Sequence, residues 1–562
     1  MEEQLTTPSP AARTSRTVPL LVLLVLIAAA VVGAYVVISR RGAAPDLAGF
    51  IPRNAAVAMT LDLTQTPEKL AAYDFVNGLF KEAGQDKALD TLFQEISKGL
   101  KLDFKKDVVA HLNGKVAGAV LDEMATMPMP KMVAVIGAKS SADADAIMTT
   151  LGNKLNVEKV GFTRGSYGNV NYYNIPMPSE GPSSMMPGLR VVSYIGAVKS
   201  TIVYANSELA FKKVVDTANG KPSLLSDKNY TTLRKSGPKV FATTYMSGPS
   251  IYKLLEPVLQ LASMQAPPGS LDGTKQQMEA MLAAVGTAEA SGDGIKYSMA
   301  TATSKKQVSC KPVPIDEMVA GVPKDATVVM SLGNFATMWS VAVAEMGNQP
   351  LQKSQFDQVV LQVKAALGID LRTDVLDRIK SFQAYYVPRK AADSANFPGF
   401  IDIVMRVDKP EVVAQMVQKL HGMAASLGGM PFKPMSIAGQ KAFVAPLGSD
   451  GDTLTDAIIG DRVLFHIGGK GGMPAAIARL KNPGVGIETG DTFKLVKSLL
   501  SPDSNCLFYS DFGAIVRMFS DEMSPEDRKI AESITRKVGA IGLSAMQVDG
   551  REETQLVIPF VK

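Results

Sequence analysis

Met124, Met127, Met129 and Met132 form an M-x-x-M-x-M-x-x-M run, interleaved with Pro128 and Pro130. Thioether sulfur at that density is a soft ligand set of the kind that holds Cu(I). The same side chains are adaptable and apolar, and serve equally in packing or as a surface for lipid or peptide. The chain has 28 methionines, so the packing reading is preferred, with these four kept as the metal candidates. Met185-Met186, Met423, Met430 and Met435 enrich further loops, which favours a surface over one metal site.

Gly468-Gly469-Lys470-Gly471-Gly472 stands between a strand and a helix, where backbone N–H groups could cradle a phosphate. Met473-Pro474 occupies the place where G-x-x-x-x-G-K-[ST] needs a magnesium-binding hydroxyl, so the loop is not a P-loop. The three histidines, His111, His421 and His466, share no metal spacing and no H-E-x-x-H, and read as surface or capping residues. Asp103 with Asp107, and Asp370 with Asp374, could pair for acid–base work. A helix N-cap followed by a first-turn acid explains both residue types and the spacing. Asp450-Gly451-Asp452 with Asp456 lacks the register and terminal Glu of a calcium loop and reads as a polar turn. There is no G-x-S-x-G and no S-x-x-K with its partner motifs. The two cysteines exclude a disulfide framework; Cys506 reads as a small core residue, and a bridge to Cys310 has little support. No catalytic residue and no cofactor is assigned.

The elements that would position these residues are organised by a repeat. Ile51–Leu61 (IPRNAAVAMTL) returns 271 residues later as Val322–Leu332 (VPKDATVVMSL). Strand and helix signals recur in the same order behind each copy. Met132–Ala138 with a helix from Ser141 is echoed by Ile401–Val407 with a helix from Lys409-Pro410-Glu411. Tyr167-Gly168-Asn169 and Ala438-Gly439-Gln440 are matching hairpin turns. Many strands are joined by short turns, so the sheets should be mainly antiparallel. The expected class is α+β: two tandem duplicated domains with flanking helices behind one N-terminal transmembrane helix. The expected boundaries are a disordered tail over 1–17, an anchor over 18–38 and a linker over 39–47. A first repeat domain over 48–305, a linker over 306–317 and a second repeat domain over 318–562 follow.

The anchor rests on 21 uncharged residues, Val18 through Leu26 to Ile38, which as a helix span about 30 Å. A cleaved signal peptide is the alternative, but the apolar run is long for one. Arg13 and Arg16 balance Arg40 and Arg41, so the charge rule ties. The short tail and large following part favour a single pass with the C-terminal part outside the cytoplasm. Formal charge is +5 from 59 basic and 54 acidic residues, with no long basic run, so no nucleic-acid partner is expected.

Ile369-Asp370-Leu371 with Asp374-Val375, and Leu102-Asp103-Phe104 with Asp107-Val108, carry a G-[LI]-D-[LF]-x-x-D-[VI] pattern. With a Pro before the first strand and the strand–hairpin–strand–helix series, it resembles a bacterial envelope family catalogued as a domain of unknown function. Gly99 lies earlier than Gly368 relative to its Asp, a departure in the first half. The resemblance implies N-terminal anchoring and repeated α+β units, and brings no catalytic residues. The leading expectation is a membrane-anchored, non-enzymatic envelope protein whose duplicated domains bind a protein partner or an apolar ligand such as a lipid. The alternatives are an envelope enzyme without a recognisable motif and a Cu(I)-binding protein using Met124–Met132.

Overall fold

The computed structural model describes residues 46–64, 69, 104–126, 129–157, 161–176, 192–263, 272–304, 310–346, 350–388, 399–426, 431–447, 451–469, 471–482, 486–519, 523–548 and 551–560. Chain contacts divide it into two compact units: the first takes Met1–Leu70, Gly84–Gln260 and Met281–Thr287, the second Ala71–Ala83, Leu261–Ala280 and Ala288–Lys562, so the last cut falls between Thr287 and Ala288.

The first unit holds β1 (Ala55–Asp62), β2 (Leu112–Thr126), β3 (Met129–Ala138), β4 (Thr163–Tyr167), β5 (Val170–Pro176), β6 (Val192–Val198), β7 (Thr201–Ala205) and β8 (Val240–Met246). They pair antiparallel in the order β8–β1–β2–β3–β7–β6–β5–β4. Helix α1 (Ser141–Val157) buries Ala144, Ile147 and Met148 against Ile136, Ile202 and Tyr204. Helix α2 (Glu208–Ala218) buries Phe211, Val214 and Val215, and is started by Ser207, whose hydroxyl accepts from the Ala210 N–H.

β9 (Met281–Ser291) crosses the cut and turns through Gly292-Asp293 into β10 (Gly294–Thr303). The second unit continues with β11 (Val313–Pro314), β12 (Val328–Leu332), β13 (Ile379–Pro388), β14 (Gly399–Val407), β15 (Lys433–Ile437), β16 (Gln440–Pro446), β17 (Asp452–Ile459), β18 (Arg462–Gly469), β19 (Asp503–Ser504), β20 (Cys506–Asp511), β21 (Ala540–Val548) and β22 (Arg551–Pro559). Its order is β20–β12–β13–β14–β18–β17–β16–β15, again antiparallel throughout. Strand for strand, this is the order of the first unit. On the other side of β20 lie β21, β22 and then β10. β11, inside the stretch 306–317 read as a linker, pairs with β19.

Helix α3 (Phe335–Met346) follows β12. Helix α4 (Pro410–Ser426) buries Val413, Met416 and Val417 against Ile379, Val407 and Val463 on one face of the sheet. Helices α5 (Gly472–Lys481) and α6 (Asp491–Leu499) cover the other face. There Met473, Ile477, Phe493 and Val496 meet Tyr385, Val404, Leu464 and Leu507. Each of those large side chains contributes about 1.5–3 kcal/mol by leaving water.

The expectation of two tandem domains, each with its own sheets, is corrected. All the strands except β11 and β19, which form a pair of their own, belong to one 20-stranded antiparallel sheet. β10, assigned by sequence to the first domain, pairs with β22 from Gly294 opposite Pro559 to Ala302 opposite Arg551. The physical reason is edge satisfaction: a hairpin's outer strand presents a row of free N–H and C=O groups, and two such edges pair with each other. Among the described residues no helix is long and apolar enough to cross a membrane. The run Val18–Ile38, with Val18, Leu26 and Ile38, lies outside them.

Two hairpin turns show why their residues were chosen. Gly168 and Asn169 have φ of 55° and 62°, and Ala438 and Gly439 have 48° and 72°. Two successive positive φ angles make the type I′ turn that matches strand twist, and Asn-Gly is its preferred pair.

Candidate functional site

One face of the second unit's sheet carries three rows of side chains across β13, β14 and β18. The strand registers set Tyr385–Asp402–His466 in one row, Gln383–Val404–Leu464 in the next and Ser381–Arg406–Arg462 in the third. Successive rows are about 6.5–7 Å apart, because same-face residues are two strand steps apart.

The first row is a dry polar cluster. Asp402 and His466 are fully buried, and Tyr385 is buried with them. Nδ1 of His466 lies 2.5 Å from Oδ1 of Asp402 and must carry its proton, since a carboxylate only accepts. Nη2 of Arg479, on α5, donates to Oδ2 of Asp402 at 3.0 Å. The Arg479 guanidinium also sits over the Phe400 ring, 5.6 Å from its centroid. Burial, then the Asp402 charge, pushes the Tyr385 hydroxyl far up. Nε2 of His466 has no hydrogen-bond partner. It faces Gly472 at the start of α5, where a Cβ would overlap the imidazole. That close approach accounts for a glycine in Gly468–Gly472 without any anion. An Asp–His pair suggests proton transfer, yet neither residue meets solvent. The cluster therefore holds α5 against the sheet.

The third row, with Gln383 at the end of the second, borders a solvent-filled cleft of about 570 Å³, while Val404 and Leu464 of the second row stay buried under α5 and α6. Val313, Met318, Leu332, Phe382 and Val404 supply its apolar lining, and Lys380, Arg406 and Arg462 its cations. Glu317 is the acidic residue of the lining. Nε of Arg406 is held by Oδ2 of Asp461 at 2.6 Å, and Nη1 of Arg462 donates to the Leu480 carbonyl at 3.0 Å. Gln383 donates to the Met318 carbonyl at 2.6 Å, fixing the cleft's inner wall.

The first unit builds the same rows from other residues. Counting from matching turns and strand pairs, Ala119, Val133 and Ala205 stand where the second unit has Tyr385, Asp402 and His466. Gly137 opposite Thr201 stands where Arg406 faces Arg462.

A second Asp–His pair lies on the opposite face. Nε2 of His421, on α4, is 2.8 Å from Oδ2 of Asp456, and the imidazole stacks on Phe432. Burial pushes the Asp456 carboxyl up to about 7 and the His421 imidazole down. The first unit has Ile195 at the position of Asp456, opposite Tyr173 as Asp456 is opposite Phe443.

The remaining candidates are placed as follows. Asp370 accepts from the Arg372 and Thr373 N–H groups, and Asp374 accepts in return from the Asp370 N–H. That is a reciprocal cap, and the Thr373 N–H in particular holds the Asp370 carboxyl below the usual range. Asp107 closes a short helix (Phe104–Asp107), and Asp103 lies outside the described residues. His111 sits on a 3₁₀ turn, 2.7 Å from Asp143. Asp452 and Asp456 are four residues apart on β17, about 13 Å along a strand, too far to share an ion. Asp450 lies outside the described residues. Cys310 and Cys506 are free thiols, and Cys506 faces Leu332 as Ala242 faces Leu61. Met129 and Met132 are three apart on β3 and so face opposite sides of the sheet. Met124 is on β2, and Met127 lies outside the described residues. Among the described residues no group of three or more His, Cys, Asp and Glu is placed to hold a metal ion.

A family model described as "Protein of unknown function (DUF3352)" matches residues 19–555. Comparison with curated proteins finds no match. Among solved structures, crystal form I of TP0453 is similar at 11% identity, covering 48% of this chain and 82% of its own, with a TM-score of 0.24. Form III gives 11%, 48%, 84% and 0.26, and form IV 12%, 46%, 81% and 0.25. Scores at that level carry no argument about fold or function.

Proposed function

The chain belongs to this family of unknown function, and we propose that it is a membrane-anchored, non-enzymatic envelope protein that binds a ligand with an apolar body in the second unit's cleft. The anchor reading is supported by the uncharged run Val18–Ile38. The observation that carries the binding reading is the cleft itself: about 570 Å³, walled by Val313, Met318, Leu332, Phe382 and Val404. Water held against such a surface is readily displaced by an apolar group. The buried Asp402–His466 pair beneath it has no access to a bound molecule, which favours binding over catalysis.

The test is photolabelling of the full-length chain in membranes with a diazirine-bearing dodecanol, followed by peptide mapping. Label should concentrate on peptides spanning 313–337 and 379–406, and Ala336→Trp, at a half-buried position of the lining, should fill the cleft and remove most of it. Uniform labelling, or labelling indifferent to Ala336→Trp in a folded variant, would overturn the reading.

A further inference from the structure

We propose that the ligand of this cleft carries an anionic head, a phosphate or carboxylate, gripped by Arg406 and Arg462; the inference rests on the cleft being a binding site. The two arginines are directly opposed on neighbouring antiparallel strands, β14 and β18. Cβ atoms in that relation are about 4.5–5.5 Å apart, and like charges so placed destabilise a sheet. The fold does not demand the pair. The same rung in the first unit is Gly137 opposite Thr201, and it makes the same strands in the same order. A local electrostatic conflict found in one of two equivalent rungs, and at the mouth of a cleft, points to a bound counter-charge.

The partners on hand answer the pair only in part. Asp461 engages Nε of Arg406 and its charge also reaches Arg462, but it is one carboxylate against two guanidinium groups and lies outside the cleft lining; Arg406 keeps its Nη groups, and Arg462 donates Nη1 to a neutral carbonyl. Lys380 adds a third cation to the lining, against the single carboxylate of Glu317. Guanidinium forks match the planar oxygens of carboxylates and phosphates, and two of them side by side can share one head. Val313, Leu332 and Phe382 supply the partly exposed apolar lining beside these cations, and the buried Val404 closes the inner end. Head at the rim and chain along the wall describe an anionic amphiphile.

The experiment is competition against the diazirine-dodecanol label on the full-length chain, with dodecyl phosphate, laurate, unlabelled dodecanol and inorganic phosphate as competitors. The expected result is that dodecyl phosphate or laurate competes at least tenfold better than dodecanol. Arg406→Gln with Arg462→Gln should abolish that preference while leaving dodecanol labelling in place, which also shows that the variant is folded. Equal competition by neutral and anionic chains, or a preference that survives the double substitution, would overturn the anionic head yet leave the cleft reading standing. Absence of cleft labelling by the neutral probe would overturn both. Inorganic phosphate competing as well as dodecyl phosphate would assign the arginines to a free anion and overturn the amphiphile.

Discussion

Nε2 of His421 and Oδ2 of Asp456 are 2.8 Å apart across the joint between α4 and β17, yet the geometry is not that of an aligned hydrogen bond. Burial raises the acid to about 7 and lowers the imidazole, the reverse of what an ion pair would do.

The pair therefore makes stability depend on pH. Asp456 binds its proton more tightly when folded, so its contribution is full below about pH 4 and is lost as pH rises to about 7. His421 acts oppositely: its contribution is present above about pH 6.5 and is lost as pH falls through its lowered folded value. Asp456→Asn removes the first effect. Relative to wild type, the variant should gain more than ~1 kcal/mol on going from pH 5 to pH 8 in urea unfolding. A difference independent of pH would refute the neutral pair.

Removing one partner of the Asp402–His466 pair strands a buried polar group. His466→Ala should cost about 3–5 kcal/mol. Asp402→Val together with His466→Ala installs the residues used by the first unit, Val133 and Ala205, and should cost less than Asp402→Val alone. Thermal unfolding of the three variants decides it, and additive losses would show that the two residues do not act as a unit.

Gly472 is small because His466 occupies the space beside it. Gly472→Ala should destabilise by about 1–3 kcal/mol through overpacking. In the His466→Ala background most of that cost should vanish. A double-mutant cycle with no coupling energy would place the strain elsewhere.

Ala438 holds φ of 48° in a type I′ turn, a conformation disfavoured for a residue with a Cβ. Ala438→Asn creates the preferred Asn-Gly turn and should raise stability by roughly 0.5–1 kcal/mol. Unchanged or lower stability in chemical denaturation would count against the turn assignment.

The elements near the repeat were legible because their signals are local. Ile51–Leu61 contains most of β1, its echo contains β12, and the glycine turns at 168 and 439 mark their hairpins. The joining of β10 to β22 was not legible, since a strand's pattern does not say which edge it will meet. The buried cluster was missed for a related reason. His466 and Asp402 are 64 residues apart, and only strand register makes them neighbours. A signal was present: Asp402 interrupts the apolar run Ile401–Met405, where Met132–Ile136 has none. The arginine rung hid in the same way, because Arg406 and Arg462 each read alone as ordinary exposed charges.

The β10–β22 pairing has a consequence for synthesis. β10 leaves the ribosome roughly 250 residues before β22, which at ordinary elongation rates is about 12–50 s. Throughout that interval the strand at 294–303 has one side without its native neighbour. A chain cut short between residues 303 and 551 would keep that border unpaired, and an unpaired border of this kind is open to pairing with a strand of another chain.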